Sequence, residues 1–174
     1  MIRGYIAQSA DGFVADKDGG VGFLDAYQGV DYGYEPFMAE IDTVVMGRAT
    51  YEQIVGFDVG WPYAGKRGVV VTSSPLETVL GDVRAWSRPL SELADDLAQN
   101  TGDTWIVGGP KLQAAFIELG ALERLDLFVM PVLLGAGVPL FASDKGAVPM
   151  ELAQSKSFDN GVIQLEYRLA AKSA

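Results

Sequence analysis

Short apolar segments and helical patterns alternate along most of this chain, and that alternation limits its fold more than any other feature. The apolar segments have the length of buried strands, and they are Ile2–Ala7, Thr43–Met46, Gly68–Val71, Val83–Trp86, Thr104–Val107, Leu125–Val132 and Val162–Leu169. Helical patterns lie between them, at Tyr34–Ile41, Ala49–Val55, from Ser91 onward and from Pro110 through Leu119. Strands that alternate with helices predict a mainly parallel sheet with helices on both faces.

The last two predicted strands depart from this alternation. No helix long enough for a parallel crossover is evident between them, so we expect a mixed sheet with an antiparallel end. Gly19–Gly22 and Gly56–Gly65 are predicted loops, and the Gly-rich stretch through Val30 is predicted to be irregular. The chain has 174 residues and no evident linker, which predicts a single domain over residues 1–174.

The chain contains no cysteine and no histidine. A cysteine nucleophile, a disulfide, a serine–histidine triad and a histidine-ligated zinc site are therefore excluded, and we expect no metal. Acid–base work falls to Asp, Glu, Lys, Tyr or water, which suits a reaction carried by an organic cofactor. The formal net charge of −10 disfavours nucleic acid and anionic membranes as partners. Neither a membrane span nor a signal peptide is evident, so we predict a cytoplasmic protein.

Three predicted strand ends carry residues that suit an anionic ligand. Gly47 permits close backbone approach at the start of a helix, Arg48 can pair with a phosphate, and Thr50 offers a hydroxyl. Thr72–Ser74 offers three more hydroxyls, and Gly108–Lys111 places paired glycines and a proline at a second helix start. Each segment also has a plainer interpretation: a tight turn with a solvated arginine, a capped turn, or close packing of backbone.

Taken in order, these segments resemble the dihydrofolate reductase superfamily. The resemblance rests on Val44–Tyr51, Thr72–Ser74 and Trp105–Gly109, and it extends from Ile2 to Arg168. The segments Ser9–Gly12 and Pro131–Phe141 are more similar to the reductase domain of the bifunctional riboflavin-biosynthesis protein. The resemblance implies a three-layer αβα fold of the dihydrofolate reductase type with a mainly parallel mixed sheet. It also implies an NADPH-dependent reductase, such as 5-amino-6-(5-phosphoribosylamino)uracil reductase, that transfers a hydride to a small heterocyclic or carbonyl compound as a homodimer.

The resemblance also implies which residues hold the cofactor. Arg48 and the hydroxyls of Thr72, Ser73 and Ser74 would contact the adenosine-side phosphates, including the 2′-phosphate. The pyrophosphate and nicotinamide side would be held by Ala7, Gly47, Thr50, Gly108, Gly109, Pro110, Lys111 and Leu112. The peptide bond between Gly108 and Gly109 would be cis.

The substrate side of the site is less well defined by the sequence. Asp31 and Glu35 are the acids available for catalysis, and Tyr32 and Tyr34 are alternative proton donors. Predicted substrate contacts are Asp11, Phe13, Phe23 and Phe128, with Phe37 and the mouth residues Lys17 and Lys145 as further candidates. The acids can equally lie on a solvated surface, and the phenylalanines can equally be core. A protein that binds NADPH without turnover, or one that uses a flavin, therefore stays open as an alternative.

Overall fold

The computed structural model describes residues 1–141 and 146–169. The strands in this part of the chain are β1 (Ile2–Ser9), β2 (Phe13–Ala15), β3 (Ile41–Gly47), β4 (Arg67–Val71), β5 (Val83–Trp86), β6 (Asp103–Gly108), β7 (Arg124–Met130), β8 (Val138–Pro139), β9 (Met150–Ser157) and β10 (Ile163–Leu169). The helices are α1 (Tyr34–Glu40), α2 (Arg48–Gly56), α3 (Leu90–Ala98), α4 (Pro110–Glu118) and a 3₁₀ helix at Gly22–Tyr27.

Eight strands form one sheet in the order β5-β4-β3-β6-β1-β7-β10-β9. The strands from β5 to β7 in this order run parallel, whereas β10 is antiparallel to both of its neighbours, β7 and β9. The predicted mixed sheet with an antiparallel end is therefore confirmed. Because β3, β6 and β1 are adjacent and parallel, their carboxyl ends meet at one edge of the sheet.

Helices cover the sheet on both faces, which confirms the three-layer arrangement. On one face Leu93 of α3 and Phe116 of α4 pack with Ile106 and Leu125 of the sheet. On the other face the core contains Phe37 of α1, together with Tyr51 and Ile54 of α2. Every helix in the described residues is too short or too polar to span a bilayer.

The stretch through Val30 is more ordered than the sequence predicted. It contains β2, which pairs with β8 from a distant part of the chain, and the 3₁₀ helix. Neither element carries a clear periodic pattern, because one has three residues and the other is a single short 3₁₀ segment. The predicted strand at Leu125–Val132 is too long, since Pro131 has no N–H to donate to a neighbouring strand.

Strand β9 was not predicted. All eight of its residues are exposed, and its sequence mixes Met, Leu and Ala with Glu, Gln, Ser and Lys. An edge strand that is solvated on both faces shows no apolar alternation, because neither face must be buried.

A group of buried charged residues joins β1, β7 and β10. Asp126 is fully buried, and its carboxylate accepts hydrogen bonds from Arg124 at 3.0 and 3.1 Å. Arg3 is 3% exposed, and its guanidinium lies 3.6 Å from Asp126 and 3.0 Å from Asp103. Glu166 pairs with Arg124 at 2.9 Å. Each of the two arginines therefore has more than one carboxylate partner, and the carboxylates outnumber the arginines.

Candidate functional site

Two helix N-termini lie side by side at the carboxyl ends of β3 and β6. Gly47 is the N-cap of α2 and Gly109 is the N-cap of α4, and neither cap makes a side-chain hydrogen bond. A Cβ at Gly47 would lie 3.9 Å from the Gly109 nitrogen and 4.0 Å from the Gly108 oxygen, so the two backbones approach closely. Two helix N-termini without side-chain caps present backbone N–H groups and the positive ends of their dipoles, which suits an anion.

Thr50 completes this glycine cradle, which we define as Gly47, Thr50, Gly108 and Gly109. A Cβ at Gly109 would lie 3.7 Å from Thr50 Oγ1, and one at Gly108 would lie 3.8 Å from it. Gly108 has a φ of 150°, a backbone angle that residues other than glycine rarely adopt. The Gly108–Gly109 peptide bond is cis, as the resemblance implied. The structure thus brings these four predicted cofactor residues together.

The other predicted residues of α4 differ in their surroundings. Leu112 is buried in the core, and its amide already donates to the Gly109 carbonyl oxygen at 3.0 Å. Its side chain packs in the core with Phe116 and Ile106. Pro110 occupies the first turn and has no N–H to offer, whereas Lys111 is exposed beside it.

Arg48 lies next to the predicted hydroxyl segment at the end of β4. Its guanidinium donates to the Pro75 carbonyl oxygen at 3.1 Å and to Thr72 Oγ1 at 3.4 Å, while its Nε donates to Glu52 at 2.6 Å. Thr72 Oγ1 also accepts from the Ser74 amide at 3.2 Å, and Ser73 and Ser74 are exposed. The arginine and the hydroxyls therefore occupy one surface, beside the glycine cradle.

An apolar pocket of about 350 Å³ lies over β1 and β7, and β1 is the strand next to β6. It is lined by Tyr5, Ile6, Ala7, Leu24, Tyr27, Gln28, Gly29, Val30, Tyr32, Phe128 and Met130. Two of these residues, Ala7 and Phe128, were predicted for the cofactor and the substrate, and they are register partners on adjacent strands. No Asp, Glu, Lys or Arg of the described chain lines this pocket.

Two tyrosines of the apolar pocket are held by hydrogen bonds. The Tyr32 hydroxyl donates to the Tyr27 carbonyl oxygen at 2.8 Å and lies 2.6 Å from Asn160 Nδ2, which donates to it. The Tyr5 hydroxyl donates to the Tyr32 carbonyl oxygen at 3.2 Å. Burial, followed by the charge of Asp126, raises the pKa of Tyr5, so this phenol stays neutral.

The two predicted catalytic acids lie outside the apolar pocket. Asp31 is exposed, and its carboxylate accepts from the Gly33 amide at 2.8 Å, which closes the turn before α1. Glu35 is exposed in the first turn of α1. Tyr34 lies at the edge of the aromatic core, where burial raises its pKa.

The remaining predicted substrate residues also lie outside the pocket. Phe13 is in β2 against Gly137, and Phe23 packs behind the pocket on the cluster of Phe128 and Met130. Phe37 is core, stacked on Tyr5. Lys17 is exposed in the turn after β2, and Lys145 lies outside the described residues.

Asp11 closes a loop instead of lining the pocket. Its carboxylate accepts from the Ser9 hydroxyl at 2.6 Å, the Gly135 amide at 2.7 Å and the Leu134 amide at 3.1 Å. The Ser9 hydroxyl and these amides lower the pKa of Asp11 below its usual value. Asp11 therefore holds the segment after β7 against the end of β1.

Replacing Asp11 with asparagine is expected to loosen that segment. Hydrogen exchange should show lower protection at the Leu134 and Gly135 amides, because the carboxylate that both bond is lost. Since the folded pKa is lowered, the stabilisation is present above the unfolded pKa of about 3.9 and is lost as the pH falls through the folded value. The control is Asp25→Asn, because the Asp25 carboxylate accepts only from the Gln28 side chain at the surface among the described side-chain bonds. Unchanged protection in Asp11→Asn would refute this role.

Sequence reasoning missed several residues of the apolar pocket. Tyr5 lies two positions before Ala7 in the same strand, so strand alternation places both on one face and could have identified it. Leu24 and Tyr27 belong to the 3₁₀ helix, which gives no periodic signal.

Comparisons with known proteins identify the family and the fold of this chain. The RibD C-terminal domain family model matches residues 66–164. The uncharacterized protein YwjB of Bacillus subtilis (strain 168) is 35% identical over 165 residues, which cover 94% of this chain and 94% of that protein.

Solved structures share the fold. A Shewanella sp. PV-4 protein named for riboflavin biosynthesis superposes with a TM-score of 0.86 at 28% identity, over 97% of this chain and 98% of that one. Dihydrofolate reductase from Enterococcus faecalis, complexed with NADP(H) and RAB-propyl, gives a TM-score of 0.68 at 18% identity, over 97% and 96% of the two chains. The fold is therefore the reductase-type fold of dihydrofolate reductase, and this chain belongs to the RibD C-terminal domain family.

Proposed function

We propose that this protein is an NADPH-dependent reductase that transfers a hydride to a small heterocyclic or carbonyl compound. The observation that carries the proposal is the glycine cradle, where two helix N-termini without side-chain caps meet one strand away from an apolar pocket. NADPH combines a phosphate chain with a flat, reactive nicotinamide ring. The glycine cradle suits the phosphate chain, and the apolar pocket suits the nicotinamide ring.

In this proposal the cradle amides and Thr50 hold the pyrophosphate. Arg48 binds the adenosine-side phosphate together with Thr72, which it already contacts. Ala7 and Phe128 form the floor on which nicotinamide and substrate lie together, and bound NADPH supplies the hydride. The apolar walls limit the amount of water that reaches the reacting rings.

The proton that accompanies the hydride has a limited set of sources. The Tyr32 hydroxyl already donates its proton to the Tyr27 carbonyl oxygen, and no carboxylate is among the described lining residues, so we propose that the proton comes from a water hydrogen-bonded to this hydroxyl. The bond from Asn160 fixes the hydroxyl oxygen at the pocket wall. Tyr5 serves as a neutral positioning residue, because its hydroxyl bonds the Tyr32 backbone.

Gly47→Ala is expected to weaken NADPH binding at least about tenfold, a loss of about 1.4 kcal/mol. The φ of −78° suits alanine, and the added Cβ would meet neighbouring protein atoms only at ordinary contact distances. The same methyl group would nevertheless stand between the two helix N-termini, where it would hold a phosphate away from the amides. Fluorescence titration with NADPH measures the affinity, and thermal unfolding checks that the fold is kept.

The matched control is Gly56→Ala at the other end of α2, where a Cβ meets nothing within 4 Å. This variant should bind NADPH as the wild type does. Equal affinities of wild type, Gly47→Ala and Gly56→Ala would contradict the placement of the phosphates in the glycine cradle.

A protein that binds NADPH without turnover is the competing function. It is favoured by one observation, the exposed positions of Asp31 and Glu35 away from the apolar pocket. Oxidation of NADPH, followed at 340 nm with pterins, pyrimidines and quinonoid compounds, separates the two functions. Turnover of any of them removes the binding-only alternative.

The proposal includes a homodimer. β9 is an edge strand of the sheet, and all eight of its residues are exposed, including Met150 and Leu152. A second copy pairing along this edge would cover apolar side chains and satisfy backbone groups that would otherwise be left to water.

A further inference from the structure

The lack of charged residues on the described pocket walls restricts the charge that a substrate can carry. This inference rests on the function proposed above. The apolar pocket presents aromatic rings, aliphatic side chains, one amide and the hydroxyls of its tyrosines. Transfer of a charged group into such surroundings is unfavourable unless an opposite charge pairs with it. The described lining residues contain no charge of either sign.

Among the described residues, the two charged side chains predicted near the mouth, Lys17 and Asp11, do not supply a partner either. Lys17 lies in an exposed turn and does not line the pocket. Asp11 is engaged by Ser9, Leu134 and Gly135. A phosphate or carboxylate on the substrate would therefore find no cation among the residues of the described pocket wall.

A second, charged cavity of about 290 Å³ shares Tyr5 and Tyr32 with the apolar pocket as common lining residues. Its two arginines are already paired with carboxylates: Arg3 lies among Glu40, Asp103 and Asp126, and Arg124 pairs with Asp126 and Glu166. A substrate tail that reached this cavity would meet ion pairs and not free positive charge.

Lys156 is the remaining cation of that second cavity. It lies on β9, and its Nζ is 4.5 Å from the centroid of the Phe158 ring. In the sheet order β1-β7-β10-β9, this strand is separated from the pair that carries the apolar pocket by β10. The lysine is therefore poorly placed to neutralise a group on a ring bound over Ala7 and Phe128.

We infer that the substrate of this reductase is an uncharged, flat ring compound with a reducible C=O or C=N group, and that the pocket rejects phosphorylated or carboxylated forms. The hydride leaves NADPH, which becomes NADP⁺, and adds to the carbon of that double bond. The oxygen or nitrogen takes a proton from water, and the hydroxide that remains passes to the solvent. The inference separates this chain from reductases whose substrate carries a sugar phosphate.

Two probes that differ in charge test the inference: methyl 4-formylbenzoate, which is neutral, and 4-formylbenzoate, which is anionic. Binding of each probe to the NADPH-loaded protein is measured by saturation-transfer NMR, and competition between the two probes gives their relative affinities. The ester should bind at least tenfold more tightly than the carboxylate. Equal or tighter binding of the carboxylate, or no binding of the ester, overturns the inference.

A positive charge introduced into the apolar pocket by mutation provides a second test of the inference. Val30 lines the apolar pocket and is partly exposed, so Val30→Lys can be accommodated, and Val30→Met is the matched neutral control. Val30→Lys should narrow the preference for the ester to less than threefold, whereas Val30→Met should keep it. A preference that Val30→Lys leaves unchanged overturns the inference.

NADPH affinity measured on the same samples shows whether the charge inference alone fails or the proposed reductase function fails as well. If NADPH binds and the carboxylate is preferred, the charge inference is overturned and the proposed reductase function stands. If NADPH does not bind, the proposed function fails, and the inference fails with it.

Discussion

Replacing Asp126 with alanine is expected to lower the free energy of unfolding by about 3–5 kcal/mol. The carboxylate is fully buried and accepts from both Arg124 and Gln164, and it lies 3.6 Å from Arg3. Its removal leaves Arg3 with Glu40 and Asp103, and Arg124 with Glu166, but takes away the fully buried anion that both arginines share. The cost is then the loss of three hydrogen bonds to a buried carboxylate, two from Arg124 and one from Gln164, together with weaker charge pairing of Arg3.

Chemical denaturation, read by the near-ultraviolet signal of the aromatic core, measures this loss. The matched control is Asp42→Ala, which removes the 2.7 Å ion pair with Arg67, where both side chains are about half exposed. Solvent screens that pair, so its loss should cost only about 0–1 kcal/mol. A loss below about 1 kcal/mol in Asp126→Ala would show that the buried charges are reached by water and would contradict the packing described here.

The central strands could be predicted because they are buried on both faces. Thr43–Met46, Gly68–Val71 and Thr104–Val107 are continuous apolar runs, and each lies within an observed strand. β9 could not be predicted in the same way, since its order comes from hydrogen bonds to β10 and not from burial of its side chains. The same holds for β2, which depends on β8.

The residues of the candidate site likewise fall into those with a local sequence signal and those without one. The glycine cradle could be predicted because glycine at a strand end before a helix has a local cause, the close approach of two backbones. The exposed positions of Asp31 and Glu35 could not be predicted, because the direction of a side chain at the start of α1 depends on the turn at Gly33, whose φ is 81°. Asp31 closes that turn and so faces solvent.

The buried charges were another feature without a local signal. Arg3 and Asp126 each stand in a strand, and only the parallel pairing of β1 with β7 brings them together. A single charged residue in an apolar run reads as an exposed position until its partner strand is known.

The central claim is that Arg48 and the glycine cradle hold NADPH, and calorimetric titration of NADPH and NADH tests it most directly. Arg48→Ala should weaken NADPH binding by about 1.5–3 kcal/mol, the usual contribution of a charged hydrogen bond, which is about 10- to 100-fold. NADH lacks the 2′-phosphate and should lose less. Arg48 is positioned for this role by its contacts with Thr72 and Pro75.

Glu52→Gln is the matched control, since it removes the carboxylate that Arg48 bonds on the same helix and keeps the guanidinium. It should leave the preference for NADPH intact, because a surface pair of this kind contributes little. The account predicts tight NADPH binding by the wild type and by Glu52→Gln, and loss of the NADPH preference in Arg48→Ala. Failure of the wild type to bind either nucleotide, or an unchanged preference in Arg48→Ala, would contradict it.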